Sequence, residues 1–266
     1  MTRMIYLFLT CCLVASHSPA WVQNKQPDSS REVKAVLEQL MSFSKRNALA
    51  SPEAKQIYTG EALKWNFPTF GKLTEAPDKI VLANQYAIAR YQLTAENGFT
   101  ADVYIYLLNE GKWKVKSVRR LALTGLLEKV QAGLQAQPRL TDEEQVTLAN
   151  INLTLAPDKE LIGWLLDHKT QLKQLCDLMT STGATSPQAI ASNDQDHPKI
   201  ATLLKELHLS EIETDGTGNT MIVIGGVTDN TVGYIYAPSN NPPQMDDGEY
   251  FWVEKITDNW YLFRTT

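Results

Sequence analysis

Cysteine and histidine are scarce in this chain: three and four among 266 residues. Cys11 and Cys12 lie in the first apolar run, so a chain cut beyond that run keeps Cys176 alone and forms no internal disulfide. His17, His168, His197 and His208 stand at no spacing from one another, or from Cys or Glu, that zinc ligands use. The sequence therefore predicts no metal and no other cofactor. No Gly-x-Ser-x-Gly elbow is present for a serine nucleophile. The longest apolar run, Met4 to Val14, is too short to cross a bilayer, which takes about 20 residues. There is no excess of basic charge either. The net charge is −5, which gives no electrostatic case for nucleic acid or anionic lipid as a partner.

What is present begins with export. Arg3 is the one charge before Lys25. The apolar run follows it, and then the small residues Ala15, Ser16, Ser18 and Ala20. A positive start, a short apolar stretch and small residues at its exit make a secretory signal peptide over residues 1–20, cut after Ser16 or Ala20. Neither Thr10 before Cys11 nor Cys11 before Cys12 suits the cleavage site of a lipid-anchored form. The expected location is the periplasm or the outside of the cell.

Hydrophobic residues make up 43% and charged residues 21%, enough apolar material for a core in each half. Ser29 and Glu32 have capping-box spacing, and Val33, Val36, Leu37, Leu40 and Met41 follow on one helical face. A short helix opens at Ser51-Pro52-Glu53. Residues 80–94, 99–108 and 112–122 read as strands. Between the last two, a three-residue loop ending in Gly111 pairs Leu107 with Trp113 and Ile105 with Val115. That register gathers the apolar side chains on one face.

A helix over 124–136 leads to Pro138, and Thr141 with Glu144 opens another. A longer one begins at Pro157-Asp158, with Leu161, Trp164, Leu165, Leu172, Leu175 and Met179 as its buried stripe. Residues 199–209 form a further helix. Four strands end the chain: 220–225, 231–237, 249–257 and 260–265. The fold class is α+β. An N-terminal domain spans 28–138 and a C-terminal domain of helices plus a four-stranded antiparallel sheet spans 140–266.

The hairpin from Asp102 to Val118, with Gly111-Lys112-Trp113-Lys114-Val115 at its turn, resembles the closing hairpin of the NTF2-like superfamily. The resemblance covers about residues 28–122. It implies a cone of helices and curved sheet around a cavity that hosts enzymes in some members and binding proteins in others. The tail, with Gly233-Tyr234-Ile235-Tyr236-Ala237-Pro238 and Asn259-Trp260-Tyr261-Leu262-Phe263, resembles small exported bacterial proteins of no assigned activity.

Candidate binding residues follow. Trp65, Tyr86, Arg90, Tyr104 and Tyr106 line the mouth or interior of such a cone. Asp102, on the face of Tyr104 and Tyr106 and beside Lys116, is the one weak catalytic candidate; the same face also reads as a surface where lysine stems cover tyrosine rings. Tyr234 and Tyr236 share a strand face and read either as core or as contact area for a partner. The loop Asn193 to His197 lacks the glycine turn and bidentate acid of a calcium site. Asp215-Gly216-Thr217-Gly218-Asn219 follows a helix and opens a strand, so it reads as a turn and not a phosphate loop. Cys176 falls on an apolar stripe and reads as inert. The expected function is non-catalytic binding of a protein, peptide or small apolar ligand. An enzyme using the N-terminal cavity and a structural or inhibitory envelope protein are the alternatives.

Overall fold

The computed structural model describes residues 27–46, 48–59, 72–83, 85–95, 98–121, 124–183, 196–227, 230–246 and 249–265. Residues 1–26, Trp65 and residues 193–195 lie outside them. Helix α1 (Pro27–Lys45) and a 3-10 turn (Ala54–Gln56) precede β1 (Lys72–Leu73), β2 (Lys79–Leu82), β3 (Tyr86–Thr94), β4 (Thr100–Asn109) and β5 (Trp113–Arg119). Four helices come next: α2 (Thr124–Gln135), α3 (Asp142–Leu155), α4 (Asp158–Thr182) and α5 (Asp196–Glu206). The chain closes with β6 (Glu211–Thr214), β7 (Thr220–Val227), β8 (Asn230–Tyr236), β9 (Tyr250–Thr257) and β10 (Trp260–Thr265).

The first sheet is curled and antiparallel. It runs β1-β3-β4-β5, and β2 shares the β3 edge with β1. The second sheet is also antiparallel, in the order β6-β7-β8-β10-β9. It has five strands, not the expected four. The added strand, Glu211–Thr214, is short and polar, and its apolar content is one buried residue, Ile212. The stretch 80–94 is likewise two strands and not one, folded back between Leu82 and Tyr86.

Side-chain alternation along the strands builds three apolar layers. On β3, Ala87, Ala89, Tyr91 and Leu93 face α1, where they meet Val33, Leu37, Leu40 and Met41. Val103, Ile105 and Leu107 on β4 join them. The alternate residues Ile88, Tyr104 and Tyr106 point the other way, onto Ile235, Phe251, Trp252, Tyr261 and Phe263 of the second sheet. The far face of that sheet is covered by α4 and α5: Leu161, Leu165, Leu172, Leu175 and Met179 pack on Ile222, Ile224, Tyr234, Trp260 and Leu262. The order of layers is helix, sheet, sheet, helices. Both sheets are buried on both faces, which is why β8 and β10 read as nearly unbroken apolar runs.

The β4–β5 register differs from expectation by two residues at the turn. Asn109 stands opposite Trp113, Leu107 opposite Val115 and Ile105 opposite Val118. The faces are those expected, because a two-residue shift preserves alternation. A bulge between Tyr106 and Leu107 accounts for the rest: it absorbs Lys116, so that Val118 returns to the face of Val115. Gly111 does take the left-handed conformation, at φ 85°.

Helix α3 sits on β7 so closely that a Cβ on Gly225 would lie 2.3 Å from Thr154 Oγ1. Beside it, the Asn150 amide donates to Ile224 O at 2.5 Å and to His208 O at 2.8 Å. Gly225→Val is therefore expected to lower stability by about 1–3 kcal/mol through overpacking. Gly133→Ala, in the exposed face of α2 with nothing within 4 Å of the new methyl, is expected to raise it by about 0.5–1 kcal/mol. Urea midpoints of the two variants check the pair. Equal effects of the same sign would show that α3 does not seat on β7 as described.

Candidate functional site

The seam between the two sheets is apolar at its centre and charged at one end. Four charges embedded in apolar strands converge there: Arg90 on β3, Asp102 on β4, Glu254 on β9 and Arg264 on β10. The fifth member is Asp158, the first residue of α4, which is fully buried.

Asp158 is the hub. Its Oδ1 accepts from Arg264 Nε at 2.9 Å, and Arg264 Nη2 lies 2.8 Å away. Its Oδ2 accepts from Arg90 Nη1 at 2.8 Å and from the Tyr104 hydroxyl at 2.6 Å. Its backbone N–H donates to Asp102 Oδ2 at 2.6 Å. Arg90 spreads the network further. It donates to Glu254 Oε2 at 2.5 Å and clasps both oxygens of Asp78 at 2.9–3.0 Å. Lys79 closes the rim by pairing with Glu254. The guanidinium of Arg90 also lies over the Trp252 ring, 5.4 Å from its centroid.

Burial alone would raise the pKa of Asp158. The guanidiniums of Arg264 and Arg90 and the Tyr104 hydroxyl outweigh it and hold the carboxyl below its ordinary value. Asp102 goes the other way: burial, and then the Asp158 charge, push it up to about 6, against the pull of Arg264 and Arg90. Burial raises the Tyr104 hydroxyl well above its ordinary range.

The residues singled out from the sequence are thus placed as follows. Tyr104 is fully buried between Phe251 and Trp252, with ring centroids at 5.1 and 5.0 Å. Tyr106 stacks on the half-buried Tyr86 at 5.5 Å. Their face is no lysine-covered surface; the second sheet covers it. Asp102 is 8% exposed and sits at the charged end of the seam. Tyr234 is fully buried on the helix side and donates to Leu161 O at 2.7 Å. Tyr236 is half-buried against Trp260, under the Lys173 ammonium. Cys176 is buried, and burial pushes its thiol up to about 12. Asp215 closes the β6–β7 turn by accepting from Thr217 and Asn219. The His168 ring stacks on Trp164 at 4.2 Å.

Two hollows bear on the site. One, of about 630 Å³, is an open depression along the outer face of α4, lined by Lys169, Lys173, Asp177 and Leu178 among others. The other, of about 20 Å³, lies beside Asp102 under Arg120, Thr124, Thr154 and Arg264, with room for about one water. Among the described residues no group of three or more His, Cys, Asp or Glu is placed to hold a metal ion, and no helix is long and apolar enough to cross a membrane.

The partners Asp158, Glu254 and Arg264 were not singled out from the sequence. The available signal was a single charge inside an apolar strand, as in Trp260-Tyr261-Leu262-Phe263-Arg264. A charge so placed must find its opposite within the fold. Comparison with family models, curated proteins and solved structures finds no match to this chain.

Removing the hub leaves two buried guanidiniums short of an acceptor. Asp158→Ala is expected to cost about 3–5 kcal/mol. The wild-type contribution of this carboxylate is present above its unfolded pKa of about 3.9 and is lost as pH falls through the lower folded value. Urea unfolding at pH 6 reads the loss, and a change under about 1 kcal/mol would show that the network is not closed as described.

Proposed function

We propose that this chain is an exported binding protein without covalent chemistry, and that its partner is a protein or peptide held on an outer surface. The observation that carries this reading is the closure of the tyrosine face. Arg90, Asp102, Tyr104 and Tyr106 are the groups a cone-shaped cavity would offer to a ligand or a substrate. Here they pack against the chain's own second sheet, and the Tyr104 hydroxyl and both arginines are committed to Asp158. A cavity that admits one water beside Asp102 does not admit a substrate.

On this reading the N-terminal half is an NTF2-like cone whose open side a second sheet has filled. Support comes from α1 laid across a curled sheet and from the hairpin of β4 and β5. Export rests on Arg3, the apolar run behind it and the small residues from Ala15 to Ala20.

The outer surface has features of its own. Leu126 and Val130, one turn apart on α2, are 52% and 41% exposed. Gly125 and Gly133 flank them with open space above, so a partner can approach the helix backbone closely. A photo-activated crosslinker at position 126 or 130, with position 110 on the β4–β5 turn as control, tests the reading in the cell that makes the protein. One discrete protein adduct at the helix and none at the control is the expected result. Protein purified from those cells with one small molecule bound per chain, and no protein adduct, would overturn it.

A further inference from the structure

Five charged side chains are buried among the described residues: the acids Asp102, Asp158 and Glu254 and the bases Arg90 and Arg264. Asp78 and Lys79, more exposed at the rim, offset each other. With every acid ionised, these five side chains carry one negative charge in excess, and the half-buried Arg120 stands at the wall of the small cavity beside them. Asp158 cannot give way, because two guanidiniums and a hydroxyl hold its charge. Glu254 is held by Arg90 and Lys79. Asp102 accepts from a neutral group, the Asp158 N–H.

Asp102 also occupies the position from which a change of charge is felt by both halves. It lies on β4 and accepts from the first amide of α4, so it caps that helix from across the seam. It lines the small cavity, through which a water can serve it. The groups that face it are Arg264 from β10, Arg90 from β3, Asp158 from α4 and Arg120 from the segment after β5. Thr124 of α2 and Thr154 of α3, both uncharged, complete the wall.

We propose that Asp102 is a proton-operated latch between the two sheets: its carboxyl tightens the seam when it holds a proton and loosens it when it gives the proton up. The protonated acid balances the buried charges, two against two, and keeps an oxygen for the Asp158 amide. The ionised acid holds that amide more strongly, but burial and the Asp158 carboxylate oppose its charge. Its pKa, ordinarily about 3.9, is raised to about 6 in the fold. A raised folded pKa gives a contribution that is complete below about pH 4 and is lost as pH rises through about 6. Between pH 5 and pH 7.5 this one group lowers the folding constant about tenfold. Asp158, whose pKa is lowered, acts in a more acid window and contributes no change over this range.

The test compares the full chain with Asp102→Asn, which keeps an acceptor oxygen and removes the charge. Urea unfolding at pH 5 and pH 7.5 gives both folding constants at each pH, and groups common to the two proteins cancel in the ratio. The ratio of variant to wild type is expected to rise about tenfold from pH 5 to pH 7.5. A ratio that is constant or falls would overturn the latch. Carbon NMR of the Asp102 carboxyl in the wild type decides the matter if the variant does not fold. A midpoint near 6 supports the proposal, and one near 4 ends it.

Discussion

One carboxylate, that of Asp158, accepts from both sheets at once: from Arg90 and Tyr104 of the first and from Arg264 of the second. The rest of the architecture depends on that junction. Arginine serves here because its planar fork can divide between acceptors: Arg90 clasps Asp78, reaches Asp158 and Glu254, and lies over Trp252. Burying such a cluster yields little net stability, since desolvation consumes most of the Coulomb gain. Its effect is on specificity. The apolar seam from Ile88 to Phe263 could slide by a residue pair with small loss, whereas the charged end satisfies its acceptors in one alignment only.

The junction also determines what the molecule can do. A curled sheet backed by α1 has one open side, and tyrosines, an arginine and an acid on that side would make a serviceable binding cavity. The second sheet occupies it, and α4 brings Asp158 to the point where charge would otherwise be unpaired. The groups with the most chemical capacity are therefore engaged in contacts within the chain. On the proposed reading, recognition uses the outside: the apolar side chains and glycines of α2 and the depression along α4. One device survives within the seam, the Asp102 carboxyl, whose charge bears on both halves.

Much of the fold was legible, and the reasons are local. The capping pair Thr141 and Glu144 and the stripe Leu161, Leu165, Leu172 and Met179 announce their helices without tertiary help. Alternation in β4 and β5 assigned the faces correctly, yet missed the register by two residues. Periodicity is blind to an even shift, and a bulge at Lys116 leaves no mark in composition. The strand Glu211–Thr214 was missed because it is short and mostly polar. The site was legible only in half. Arg90, Asp102 and Tyr104 were recognised as unusual, but the partners Asp158 and Glu254 lie 54 to 164 residues away along the chain, and no local pattern links them. That distance made a sealed seam look like an open cavity or a solvated face.

The central claim is that the two sheets form one cooperative body joined at Asp158. Native-state hydrogen exchange at the amides of β4 and β10 tests it most directly, since the two strands belong to different sheets and meet the same carboxylate. The account predicts a single opening free energy for both strands, equal to that of global unfolding. Exchange from β4 through an opening that leaves β10 protected, or the reverse, would contradict it.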